Sequence, residues 1–193
     1  GSTVIGLNRP KIYRAVGRVT PNIKGSCVVQ VGTRSVAASN VKVHGLDVYP
    51  QRALSGGAIY GIGARLDVTP TAYAENIEIR QCYVNDATIG ILVAKDSYFP
   101  SMLDPGRVSS RFKNVAVREC VVTDTSNKAI EIGECVDSVI ERNLIYACVD
   151  GAQVIGNCAR CSISDNIIDV TNGAIQVAHQ AEDIKINGNH VTS

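Results

Sequence analysis

From residue 41 onward, apolar and polar positions alternate in short runs that recur. Six segments align: 41–46, 77–82, 115–120, 138–143, 161–166 and 184–189. The last four begin at even spacing, and the two earlier steps, from 41 to 77 and from 77 to 115, are longer. A weaker seventh match stands at 2–7. In each segment the first and third positions read as inward, as in Val41 and Val43, Ile77 and Ile79, Val115 and Val117, and Ile184 and Ile186. The second and fourth are mostly polar. Period-two alternation over so short a run is a strand signature. Two residues past each segment stands another inward residue: Val48, Val84, Val122, Ile145, Ile168 or Val191. All are β-branched, which suits a pleated surface. A second strand follows in each repeat, at 57–60, 90–93, 129–132, 152–155 and 174–177. No segment carries a convincing helical period.

A unit this short cannot bury its own apolar face, whereas a stack of such units can. Parallel strands joined by short crossovers turn right-handed in nearly all cases. The sixth position of the repeat supports stacking. Asn143, Asn166 and Asn189 fall one rung apart there, about 4.8 Å, so their amides can bond along the stack. Cys82 and Cys120 fill the same slot, and Cys135 and Cys158 form another pair one repeat apart. The expected fold is all-β, a single-stranded right-handed parallel β-helix of about seven rungs with a period of roughly 23 residues. On the rung and the asparagine ladder the chain resembles the pectin-lyase-like β-helix superfamily, over essentially its whole length. That superfamily includes pectate lyases, mannuronan epimerases and bacteriophage tailspikes, and the chain looks most like a tailspike.

One domain, 2–193, is expected, with loop-bearing rungs over 2–113 and regular rungs over 114–193. Extra residues follow the second strand in two adjacent rungs, at 64–74 and 96–113. All six prolines precede residue 106, and eight of nine aromatics precede residue 114. Loops on a rigid scaffold commonly carry function. A ligand groove and a plain covering or subunit contact are both open readings of these loops.

The stack sets a distance rule for glycoside chemistry. Carboxylates one rung apart lie roughly 5 Å apart, near the retaining spacing, and two rungs give roughly 10 Å, at or past the inverting range. Asp96, Glu131 (read as outward) and Glu134 are the candidate acid–base set beside the loops, with Asp104 as a fourth option. The alternative is ordinary solvated surface carboxylates. Lys95, Tyr98, Arg107 and Arg111 are the residue types that hold a uronate and take its proton. Tyr60 and Tyr73 are candidate sugar-stacking rings in a chain without tryptophan. Two departures weigh against particular relatives. There is no aspartate cluster at rung spacing, as calcium-assisted pectate lyases have. The epimerase triplet Asp-Pro-His is also missing, since Asp104-Pro105 is followed by Gly106.

Cys158 and Cys161 form a C-x-x-C with Cys135 one rung away, but a fourth zinc ligand is lacking. Stacked inward fillers are the better reading, and neither metal nor cofactor is expected. His44, His179 and His190 do not cluster and read as surface residues. Outward residues beside the first strand mix charges, and Glu119, Arg142 and Asp165 alternate in sign, which suggests cross-strand pairing. Net charge is +1, so nothing favours nucleic acid or an anionic membrane as partner. No apolar run is long enough to enter and span a bilayer.

An odd cysteine count of seven and the absence of an Asn-x-Ser/Thr sequon favour folding in a reducing cytoplasm. Gly1-Ser2 has the form of a tag remnant, so a fragment of a larger protein is expected, with a cap, a partner or self-association covering the open strand edges. Three functions stay open. The first is a tailspike-like β-helix that binds, and could depolymerise, a bacterial surface polysaccharide. The resemblance implies a homotrimer on a virion tail, folded in the host cytoplasm. The second is a non-catalytic shaft or adhesion module. The third is a secreted polysaccharide lyase, hydrolase or epimerase.

Overall fold

A computed structural model describes residues 5–7, 11–14, 18–19, 27–32, 38–52, 59–66, 74–95 and 112–192. Its strands form three parallel sheets that the chain visits in turn. Sheet A holds β1 (Ile5–Leu7), β4 (Cys27–Val31), β7 (Tyr60–Leu66), β10 (Ile89–Lys95), β13 (Lys128–Gly133), β17 (Asp150–Ile155) and β20 (Ile175–Ala178). Sheet B holds β2 (Lys11–Arg14), β5 (Val41–His44), β8 (Ala74–Arg80), β11 (Phe112–Arg118), β15 (Val139–Glu141), β18 (Ser162–Ser164) and β21 (Lys185–Asn187), with the short β14 (Cys135–Val136) also on β11. Sheet C holds β3 (Arg18–Val19), β6 (Asp47–Val48), β9 (Tyr83–Ala87), β12 (Val121–Thr125), β16 (Leu144–Cys148), β19 (Ile167–Val170) and β22 (His190–Thr192). One pass through A, B and C is a rung, and the described strands make seven. The expected rung count holds, and each turn carries a third strand beyond the two read from sequence.

The six aligned segments stand in register on sheet B, with Val41 opposite Ile77, Ile77 opposite Val115 and Val139 opposite Ser162. The β-branched column Val48, Val84, Val122, Ile145, Ile168 and Val191 is continuous on sheet C. Inward residues from all three sheets form one core, in which Ile62, Ile91, Ile130, Val117, Ile140, Val122 and Ile145 show no exposed surface. Each such side chain contributes about 1.5–3 kcal/mol relative to exposure.

Four sequence assignments shift. Residues 5–7 pair with β4 in sheet A, and Lys11 faces Val41, so β2 and not 2–7 begins the sheet B column. Ile62 faces Ile91, so the first repeat's second strand lies at β7 and not at 57–60. Ala152 faces Ile130 and not Ala129, so on sheet A the sixth rung stands one position out of step with the aligned repeats. The corner before β17 is one residue shorter and the corner at Gly156-Asn157 one longer, which keeps the repeat step even on sheets B and C. The inserts are also shorter than expected, because β7 runs to Leu66, and Ala74 and Phe112 are paired strand residues.

The corners are made by residues with left-handed backbones. Asn40, Asn76, Asn114, Asp137, Arg160 and Asp183 each stand one residue before an aligned sheet B segment, Asn76 and Asn114 inside β8 and β11, and Gln81, Glu119, Arg142 and Asp165, with Gly45 and Gly188, turn B into C. A single αL residue redirects the strand without an extra loop, and Asn, Asp and Gly adopt it most readily. Space dictates residue type where C meets A. A Cβ on Gly90 would meet Val122 and the Ala129 carbonyl, and one on Gly151 would meet Ile168 and the Ala174 carbonyl.

The slot column behaves as expected. Asn143 Nδ2 donates to Asn166 Oδ1 at 3.0 Å, and Asn166 Nδ2 to Asn189 Oδ1 at 2.9 Å. The same oxygens accept the backbone N–H of the rung before, so each amide closes a turn and a rung together. All seven cysteines are free and buried. Cys82 and Cys120 lean on the carbonyls of Arg80 and Arg118 at 3.3 Å, and Cys158 Sγ accepts the Cys135 N–H at 3.3 Å. Burial and mutual thiol contacts push Cys120, Cys158 and Cys161 well up, so they stay protonated fillers. No group of three metal-ligating side chains occurs among the described residues, and no described helix is long and apolar enough to cross a membrane.

Candidate functional site

The segments 67–73 and 96–111 both lead from sheet A to sheet B on adjacent rungs, after β7 and β10. The outward side chains of sheet A stand on the strands that precede these two connections. They are not solvated like an ordinary outer face. On rungs 3 and 4, Tyr60, Ile89, Leu92 and Ala94 form an apolar cluster of their own, separate from the core. On rungs 5 and 6 the same columns turn polar. Lys128 stands opposite Asp150, and Glu131 opposite Gln153, which faces Gln176 on rung 7.

These polar groups are covered. Glu131 is 3% exposed, Gln153 5% and Asp150 9%. The Lys128 ammonium lies 2.7 Å from Glu131 Oε2. Asp150 Oδ1 accepts from Asn172 Nδ2 at 2.8 Å and from the Gly173 N–H at 3.0 Å. Gln153 Oε1 is buried with no hydrogen-bond partner. A buried amide oxygen left unpaired costs about 1–3 kcal/mol, so an incoming hydroxyl or N–H donor has something to gain there.

Glu131 does leave the core side of its strand, as the alternation predicts, but it is neither free nor solvated. Glu134 sits at the corner between A and B with φ 52°, and its backbone carbonyl accepts the Phe112 N–H at 3.1 Å. Lys95 is the last residue of β10, opposite Leu66. Asp96, Tyr98, Asp104, Arg107, Arg111 and Tyr73 lie outside the described residues. Among the candidates, Tyr60, Glu131 and Glu134 thus all belong to sheet A or its edge. Sequence reasoning missed Lys128, Asp150 and Gln153. Aligning the sixth rung one position off sets Gln153 level with Ile130; the true register sets it beside Glu131.

The outer face of sheet B is a different surface. His44 Nε2 is 3.1 Å from Glu78, Arg118 is 3.7 Å from Glu78 and 3.4 Å from Glu141, and Arg142 reaches Glu141 at 3.0 Å and Glu119 at 3.4 Å. Arg80 completes the chain on Glu119 at 2.8 Å. The alternating signs pair across rungs as expected, and His44 is not an idle surface residue but part of this ladder, with 15% of its side chain exposed. This ladder of alternating charges ties successive rungs together, which is a structural role.

A family model described as a right-handed beta helix region matches residues 106–191. The chain is a right-handed parallel β-helix. The A-module of a mannuronan C-5 epimerase from Azotobacter vinelandii shares this β-helix at TM-score 0.60 and 13% identity, over 98% of this chain and 67% of that one. A putative glycosyl hydrolase from Parabacteroides merdae aligns at TM-score 0.52 and 13% identity, over 97% of this chain and 78% of that one. The Dettilon tailspike protein aligns at TM-score 0.36 and 10% identity, over 97% of this chain and 54% of that one, a likeness too slight to argue from. These identities speak for the β-helix fold alone. No curated protein matches the chain significantly in sequence.

Proposed function

We propose that this β-helix binds a polysaccharide along the outer face of sheet A, across rungs 3 to 6. The observation that carries the reading is the covered polar set Glu131, Gln153 and Asp150, which sits outside the core and ends in the unpaired Gln153 oxygen. Asp150 also closes the corner at Asn172-Gly173, whereas Glu131 and Gln153 sit within their strands and cap no turn. Sugar hydroxyls are the donors such acceptors suit, and Tyr60, half-buried on the same face, offers a ring for the C–H face of a pyranose. The fold is shared with two proteins named for work on glycans, a mannuronan epimerase and a putative glycosyl hydrolase.

Binding is the core of the proposal. Cleavage would need a second carboxylate facing Glu131 across the glycosidic bond, and Asp96, Asp104 and Glu134 are the residues proposed for it. A narrower reading is favoured by one observation, the seven free, buried cysteines, which suit a chain that folds in a reducing compartment. In that reading the glycan is a bacterial surface polysaccharide and the protein works on a virion tail.

The test is a panel of capsular, O-antigen, pectin and alginate polysaccharides, scored for binding, new reducing ends and new carbon–carbon double bonds. A binding glycan is expected, with affinity falling at least tenfold in Gln153→Ala and in Glu131→Gln. Reducing ends alone would identify a hydrolase, and double bonds a lyase. A folded protein that holds no glycan of the panel, or whose binding ignores both substitutions, would sink the proposal.

A further inference from the structure

The outer face of sheet C carries an apolar stretch, Val121, Leu144 and Ile167, below which the Tyr83 ring packs 5.6 Å from Tyr49. Its first outward column runs Asp47, Tyr83, Val121, Leu144, Ile167 and His190 from rung 2 to rung 7. Leu144 is 38% and Ile167 51% exposed, and Tyr146 beside them is 37% exposed. On sheet B the outward positions instead carry the ion-pair ladder of His44, Glu78, Arg118, Glu141, Arg142 and Glu119. A contiguous exposed apolar column framed by charge has the make-up of an interface, with its centre apolar and its rim polar.

The order of residues along this face points to the occupant. We propose that the outer face of sheet C pairs with the same face of a second copy of this chain, antiparallel, about a two-fold axis lying between rungs 4 and 5. That axis lays rung 4 over rung 5, rung 3 over rung 6 and rung 2 over rung 7. In the central column Val121 then meets the second copy's Leu144, Tyr83 meets its Ile167, and Asp47 meets its His190. The corner column between sheets B and C also reads as its own complement. Glu119 meets Arg142, and Gln81 meets Asp165, which gives a carboxylate an amide donor. In the column on the other side Asn85 meets Asp169 and Thr123 meets Tyr146. No like charges face each other in any of the three columns, and the contact is isologous, as a closed dimer requires.

A parallel arrangement fails the same check. With like rungs level, a two-fold along the coil sets Asp47 against Asp47. Charge pattern therefore favours the antiparallel pair over a parallel two-fold pair, and the trimer that tailspike resemblance implies is one of the outcomes the test separates. This surface is separate from the polar face of sheet A, and neither reading depends on the other.

Sedimentation equilibrium of the whole chain at micromolar concentration is expected to give twice the chain mass. Leu144→Glu and Ile167→Glu, both at exposed positions, should each return it to a single-chain mass with an unchanged circular dichroism spectrum. The sense of pairing is read by a short bis-maleimide spanning about 10 Å, the separation of packed sheets. Asn85→Cys and Asp169→Cys are made in separate chains, the native thiols being buried. Cross-linking is expected only when the two variants are mixed. A monomer, a trimer, a dimer indifferent to both glutamate substitutions, or cross-linking within either variant alone would overturn the proposal.

Discussion

At the scale of the residue, the molecule is governed by backbone turning points and by the side chains that close them. Asn166 shows how much one buried amide can do. Its Oδ1 accepts from the Asn143 backbone and side chain, and its Nδ2 donates to the Ile140 carbonyl and to Asn189. Asn166→Ala leaves several of those groups buried and unpaired, so a loss of about 3–5 kcal/mol is expected in urea unfolding. A loss under about 1 kcal/mol would mean that water takes the place of the amide. This ladder is legible in the sequence because its three members fall one repeat apart. A second amide ladder, in which Asn114 bonds Asn76 at 2.7 Å and Asn76 bonds Asn40 at 2.8 Å, is not. It stands one residue before each aligned segment, at a left-handed residue, where hydrophobic alternation carries no signal.

At the scale of the element, strand pairing is set by apolar alternation, and the outer faces are what distinguish one sheet from another. The ladder on sheet B makes stability depend on pH in a definite direction. Burial pushes the Glu78 carboxyl up, but His44, Lys42 and Arg118 outweigh it and hold the group below its ordinary value. Arg80 and then Arg142 hold Glu119 low, and Arg160 does the same for Asp137. Carboxyls with a lower pKa folded than unfolded bind fewer protons when folded. Their contribution is complete above the ordinary carboxylate range and is lost as pH falls below about 4 through the folded values. Thermal unfolding should thus hardly change between about pH 7 and 5 and weaken steeply below about 4. Glu78→Gln should flatten that acid limb, and an unaltered limb would show that the ladder does not set it.

At the scale of the whole molecule, each rung touches only its neighbours, so stability is distributed along one dimension. The central rungs are covered on both sides, with Ile130 and Ile132 at 0% exposure, while Ile186 and Val191 on rung 7 are 52% and 47% exposed. Amide exchange should be slowest for β10, β13 and β17 and fastest for β21 and β22, with intermediate values grading between them. Uniform protection from β10 to β22 would instead mean a single cooperative unit. If the antiparallel pair forms, protection on the outer columns of β12 and β16 should rise with protein concentration, since those strands sit nearest the two-fold axis.

By itself the sequence determined the parallel stack, its period, the inward columns and the asparagine ladder, because each of these repeats and each uses side-chain chemistry that alternation or spacing reveals. Tertiary structure alone decided which outward residues meet. A corner shortened by one residue moved Gln153 beside Glu131, and alternation could say that Glu131 points out but not that it is covered and bound to Lys128. The same holds for sheet C, whose apolar residues read as ordinary strand positions one repeat at a time. They become a continuous column only when parallel pairing stacks them about 4.8 Å apart, since a surface is a property of neighbours in space and a chain lists neighbours in order.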